Sequence, residues 1–199
     1  MTVAVIRTSM ESPRQQELDD VTLRRAQRGD VGACRALVEC YEVRVFALIG
    51  RMLGHRGQPA DREDLAQETF LHVFKALGNF SQLGTAKLSS WILTFAARRA
   101  IDHLRKTGRV LESPLSEEVI APERADESAR QSILLSAVEQ AVSGLSPEYR
   151  AAFLLREYHD LSYDEIARSL RIEVGTVRSR LSRARAEVRA AALEVRNDQ

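Results

Sequence analysis

Little in this chain points to chemistry of its own. It has only two cysteines, Cys34 and Cys40, and no paired metal-binding motif. On one helix their spacing puts them on poorly matched faces. Both read as reduced, buried thiols of a cytosolic protein, with redox sensing as the alternative. No apolar window reaches the length of a membrane helix, which excludes membrane insertion. Met1–Thr8 is too short an apolar run for a signal peptide, and the residues after it are polar. No strand-type alternation or internal repeat is visible, so the chain reads as all-α. There is no Ser/His/Asp set, no pair of catalytic carboxylates, no phosphate-cradling glycine loop and no metal cluster. His72 has no second ligand at metal-binding spacing and reads as a surface histidine. A binding protein without cofactor is expected, not an enzyme. Net charge is only +1 over 199 residues, so charge is informative by segment and not in total.

The most telling segment is LSYDEIARSLRIEVGTVRSRLSRARAEVRAAA, from Leu161 to Ala192. Ser162 and Glu165 form a capping box at the start of a helix over Tyr163–Leu170, whose inner stripe is Ile166, Ala167 and Leu170. After a break at Arg171–Glu173, a second helix begins near Val174–Thr176. Val174, Val177, Leu181, Ala184 and Val188 make its apolar face. Arg178, Ser179, Arg180, Ser182, Arg183, Arg185 and Arg189 make the opposite face. Five arginines stand against the single acid Glu187 between Gly175 and Ala190. Two helices, a tight turn and a basic second helix read as a helix-turn-helix, with the second helix in the major groove. Arginine suits that place because its planar fork binds guanine or clamps phosphate. A terminal helix with a solvated charged face is the plainer alternative.

The rest of the chain falls into helical stretches. Residues 1–19 read as a flexible tail, with a helix from Asp19 or Asp20 to Arg28. Gly29 breaks it, and Asp30 caps a long helix over Val31–Leu53 with the stripe Ala33, Leu37, Tyr41, Val45, Leu48 and Met52. A third helix starts at Asp61 or Asp64 and runs to Leu77. Leu65, Leu71, Phe74 and Leu77 are expected to face the core, and Asp64, Gln67, Glu68 and His72 the solvent. After the polar connection Gly78–Ser90 comes a helix from Ser90 to Lys106, where Trp91 and Phe95 read as core. Arg98, Arg99, Arg105, Lys106 and Arg109 form a second basic patch beside aromatics, the composition that grips single strands. Residues 108–130 are acidic and broken by Pro114 and Pro122, which marks a linker between two helical domains, 20–107 and 131–193. Further helices are expected over Gln131–Val142 and, capped by Ser146 with Pro147 in the first turn, on to Tyr158.

The blocks DREDLAQETFLHVFKAL, FSQLGTAKLSSWILTFAARRAIDHLRK and LSPEYRAAFLLREYHDLSYDEIARSLRIEVGTVRSRLSRARAEVR, in this order, resemble the two conserved domains of extracytoplasmic-function (ECF) sigma factors of the sigma-70 family. The resemblance covers Asp20 to Ala191. It implies an initiation factor that binds core RNA polymerase and promoter DNA, with an anti-sigma factor as a further partner. By resemblance, Asp64, Gln67, Glu68 and Phe70 dock on the polymerase. Thr176, Arg178, Ser179, Ser182 and Arg183 bind the duplex −35 element, with Arg180 and Arg185 on phosphates or polymerase. The loop Asn79–Ser90 holds the melted −10 strand, with Asn79, Phe80, Lys87 and Arg98 as contacts. Arg98 stands where relatives commonly have asparagine, so an altered −10 preference is expected. The acidic linker threads toward the active-site cleft in the family; a solubilising tether fits its composition equally. Two rivals remain: a dimeric helix-turn-helix regulator that binds a palindrome without polymerase, and a sigma mimic that sequesters an anti-sigma factor.

Overall fold

The computed structural model describes residues 17–54, 57–81, 87–107 and 127–197. Among them eight helices and no strand occur, as the patterning predicts. The first four are α1 (Asp20–Gln27), α2 (Val31–Leu53), α3 (Pro59–Leu77) and α4 (Leu88–Lys106). The second four are α5 (Glu127–Gly144), α6 (Pro147–Glu157), α7 (Tyr163–Leu170) and α8 (Val174–Asn197).

Local chemistry accounts for most of these bounds. The Asp19 carboxylate accepts from the amides of Val21 and Thr22 and starts α1. Asp30 accepts from the Ala33 amide at 2.8 Å and starts α2. Gly29 makes the turn between them at φ 83°, where a Cβ would be strained. Gly54 ends α2 at φ 63°. A Cβ there would also meet the Ser143 hydroxyl at 2.7 Å, so glycine serves both the turn and the approach of α5. α3 begins at Pro59, earlier than Asp61 or Asp64. Proline sits at its first position, and Asp61 reaches back to the Gln58 amide in a capping box. α4 begins two residues before Ser90, at Leu88, and α5 four before Gln131, at Glu127. Of the expected linker, residues 108–126 lie outside the described residues, as do residues 1–16 of the tail.

α2 is the axis of the first four helices and packs against α1, α3 and α4; α8 is the axis of the second four. The predicted α2 stripe from Ala33 to Met52 is buried throughout, each fully buried leucine or valine contributing about 2 kcal/mol. On α3 the expected phase is corrected. The buried residues are Leu65, Ala66, Thr69, Phe70, Val73 and Leu77, while Leu71 is 59% exposed. Leu71 falls between the turns that face α2 and α4, so its own hydrophobicity does not bury it. On α7 the inner face includes Ser169, and Leu170 is only half-buried.

The two groups of helices share one continuous core. α4 packs against α6 and α7, and α2 against α6. Arg150 of α6 is buried and spans the junction, donating to the carbonyls of Met52, Ser143 and Leu145. Burial lowers its pKa only to about 10, so it stays charged at neutral pH. Arg51 of α2 lies 4.5 Å above the ring of Tyr158 across the same junction.

Candidate nucleic-acid interface

The helix-turn-helix forms as its capping pattern predicts. The Ser162 hydroxyl accepts from the Glu165 amide at 3.2 Å, and the Glu165 carboxylate accepts from the Ser162 amide at 2.8 Å. α7 ends at Arg171 in the left-handed region, φ 53°, and the chain turns into α8. Val177, Leu181, Ala184 and Val188 are buried, with none above 2% exposed. That burial fixes the rotation of α8 and leaves Arg178, Ser179, Ser182 and Arg183 exposed on one face, with Thr176 half-buried at its start. Tyr149 of α6 accepts from Arg183 at 2.9 Å. The face presents cations and hydroxyls on a rigid helix, which is what base edges and phosphates require.

Arg185 does not join this face. It donates to one Glu157 carboxylate oxygen at 3.0 and 2.7 Å and to the Tyr163 hydroxyl at 3.4 Å. The Glu157 side chain is only 8% exposed. Arg185 neutralises this buried carboxylate and ties α6, α7 and α8 together, which corrects the expectation that it binds phosphate or polymerase.

In the first four helices, Asn79 and Lys87 are exposed. Phe80 is half-buried against Trp91, with ring centroids 5.0 Å apart, and Trp91 meets Phe95 edge-on at 4.9 Å. This aromatic row lies beside a small cleft of about 190 Å³ between α4 and α7. Arg98 is also there, but its guanidinium is occupied. It donates to the carbonyls of Ser169 at 2.6 Å and Arg168 at 3.1 Å, at the C-terminal end of α7. Burial lowers its pKa, and Arg171 nearby adds to this. Thr94 bonds Ser169 at 2.6 Å, and Ser90 donates to Glu165 at 2.8 Å. Arg105 pairs with Glu148 of α6. The expected basic patch on α4 is therefore partly spent on contacts to the second group of helices. Arg109 lies outside the described residues.

On α3, Asp64, Gln67 and Glu68 are exposed as expected, whereas Phe70 is 8% exposed. Its ring edge lines a groove of about 540 Å³ between α2 and α3, with Phe46, Gln67, Leu71 and Phe74. Phe46 of α2, which lines it, is exposed, and so is Val43 on the same helix. The sequence reading passed over both, although two apolar residues outside the α2 stripe are a signal. Cys34 and Cys40 are half-buried free thiols, and burial pushes both pKa values up, away from reactive thiolates. Among the described residues no cluster of His, Cys, Asp or Glu could hold a metal ion, and no helix is long and apolar enough to cross a membrane.

Residues 37–110 match the family Sigma-70 region 2, and residues 135–188 match Sigma-70, region 4. The chain is 35% identical over 184 residues to the RNA polymerase sigma-H factor of Pseudomonas aeruginosa, covering 85% of this chain and 91% of that protein. It is 32% identical over 185 residues to the ECF RNA polymerase sigma-E factor of Escherichia coli, covering 86% and 92%. Among solved structures it is similar to CnrH in complex with the cytosolic domain of CnrY, with TM-score 0.59, 22% identity, and coverage of 85% and 94%. It is also similar to the sigma factor RpoE bound to the anti-sigma factor NepR from Bartonella quintana, with TM-score 0.56, 22% identity, and coverage of 79% and 94%. With both regions matched in order and relatives aligned over most of their length, this chain belongs to the sigma-70 family, among the ECF RNA polymerase sigma factors.

Proposed function

We propose a division of labour within this sigma factor, which binds core RNA polymerase and directs it to promoters. Residues 131–193 take the duplex −35 element. Arg178, Ser179, Ser182 and Arg183 of α8 reach base edges, and Thr176 with the first amides of α8 holds a phosphate. Residues 20–107 take the polymerase and the melted −10 strand. Asp64, Gln67 and Glu68 dock on the polymerase, with the Phe70 edge and the neighbouring groove as the apolar part of that surface. Asn79, Phe80 and Lys87 contact the single strand, and Arg98 joins them once α7 moves off α4. RNA synthesis remains the chemistry of the polymerase, and the sigma factor contributes binding alone, in the cytoplasm. An anti-sigma factor restrains the chain; the solved relative RpoE, bound to NepR, supports that partner.

The observation that carries this reading is the exposed arginine and serine face of α8, backed by a buried apolar face. A sigma mimic that only sequesters an anti-sigma factor has no use for it. Run-off transcription with purified bacterial core polymerase on a genomic fragment library tests the assignment. Promoter-specific transcripts are expected with this protein, and Arg178→Ala with Arg183→Ala is expected to abolish them while core binding persists. Core binding without transcripts would favour the mimic. Palindrome binding without any core binding would favour a dimeric regulator.

A further inference from the structure

The loop from Asn79 to Ser90 is held at both ends by the segment around α1. At its entrance α3 ends, and a helix end leaves backbone carbonyls without partners in the helix. Gln27, the last residue of α1, donates from Nε2 to the carbonyls of Leu77 at 3.0 Å and Phe80 at 2.8 Å. At the loop's exit α4 begins at an N-cap, Lys87, that has no side-chain acceptor for the first-turn amides. The cap comes from elsewhere. The Glu17 carboxylate accepts from the Ser89 amide at 3.3 Å and from the Ser89 hydroxyl. A carboxylate at this place also suits the positive end of the helix dipole. Glu17 is itself anchored to α2: the Tyr41 hydroxyl donates to it at 2.9 Å, and the Arg44 guanidinium stands 3.7 Å away.

We infer that Glu17 and Gln27 are positioning residues for the melted −10 strand: they bracket the end of α3 and the start of α4 and so place Asn79, Phe80 and Lys87 without touching DNA. Contact residues held in place before binding have less conformational freedom left to lose when a strand is captured. Phe80 shows the arrangement most directly. Its carbonyl is held by Gln27 while its ring rests on Trp91. The inference rests on the assignment of this loop to the −10 element.

Glu17→Ala and Gln27→Leu each remove one end of the bracket, with Glu17→Gln as the conservative variant that keeps an acceptor for Ser89. Two measurements on the full chain test the pair. In hydrogen exchange of the free protein, the amides of residues 79–81 and 87–91 are expected to exchange about fivefold faster in Glu17→Ala and Gln27→Leu, the equivalent of one lost helix cap. Exchange in α8 should be unchanged. In run-off transcription with core polymerase, both variants are expected to lose about tenfold on a fully duplex promoter, or about 1.4 kcal/mol, and to discriminate less among −10 sequences. Core affinity should stay equal to wild type, and Glu17→Gln should recover most of the loss. Unchanged loop exchange would overturn the inference, as would wild-type transcription by both variants or a loss matched by an equal loss of core affinity. If the wild-type chain binds core and yields no promoter-specific transcript, the −10 assignment itself fails. If the wild type transcribes and the variants match it, only the bracket fails.

Discussion

Three single residues carry more than their surroundings suggest. Arg150 satisfies carbonyls from α2 and from the turn after α5 with one buried guanidinium. Removing it leaves several buried acceptors without a donor, and such groups are costly. Arg150→Met is expected to destabilise the fold by about 3 kcal/mol, read from urea unfolding. His159 is held neutral: burial, then the positive charges of Arg51 and Arg44, lower its pKa from 6.5 to about 3. Above pH 6.5 the ring is neutral whether folded or unfolded and costs nothing. As pH falls below 6.5 the unfolded chain takes up a proton that the folded one refuses, so stability is lost until the pH approaches 3. Between pH 7 and pH 4 the loss attributable to this residue is on the order of 3 kcal/mol. His159→Gln should flatten that part of the stability–pH profile; an unchanged slope would assign it to other groups. Arg98 shows the third pattern, a cation whose sequence context suggests DNA while its first partners are the carbonyls that end α7.

At the scale of elements, α7 is one of the two shortest helices, and it leads directly into α8. It has eight residues, too few to persist alone. Its ends are therefore worth more than its interior. Ser162→Ala removes one half of the capping box and is expected to cost about 1 kcal/mol. Arg171, at the other end, adopts φ 53° with a full side chain. Arg171→Gly relieves that strain and is expected to raise stability by about 0.5–1 kcal/mol. It also removes a positive charge next to Arg98. Thermal unfolding of the two variants should therefore move in opposite directions. α8 depends less on its caps, because its buried stripe from Val177 to Ala192 holds it against α5, α6 and α7.

For the whole molecule, the central fact is that α4 and α7 touch. Elements centred near −35 and −10 lie about 25 base pairs apart, or about 85 Å of duplex at 3.4 Å per base pair. α8, with its 24 residues, is only about 36 Å long, and it starts beside a helix packed on α4. If residues 131–193 take the −35 element and residues 20–107 the −10 element, as proposed, the observed arrangement cannot occupy both at once, and the two groups of helices separate on the promoter. Thr94 and Ser169 mark the seam, with oxygens 2.6 Å apart. Side chains in hydrogen-bond contact across a seam are near enough to try as a disulfide pair. Thr94→Cys with Ser169→Cys, in a background with Cys34 and Cys40 replaced by alanine, should form a bridge under oxidation. The bridged protein is expected to lose promoter-specific transcription and to regain it on reduction. Full activity of the bridged form would show that separation is not required.

The amino-acid sequence by itself determined what depends on near neighbours. α2 runs from Val31 to Leu53 as read, because Asp30 caps it and Gly54 can take the φ that ends it. The capping box of α7 and the rotation of α8 follow from residues three and four apart. The five-arginine segment and the family's blocks were legible for the same reason. Tertiary structure alone decided which charges remain available. Arg178 and Arg183 face outward while Arg185 is spent on Glu157, although all three stand in one basic run. Arg98 is turned to α7 by acceptors about 70 residues away. Leu71 is exposed and Phe70 covered because α2 and α4 choose the buried side of α3. No local pattern marks Glu17 or Gln27, and the helix-end partners that give them a role lie 50 to 72 residues along the chain. Hydrogen-bonding groups and charges act at contact distance, so a pattern along the chain shows them only when the partner is local.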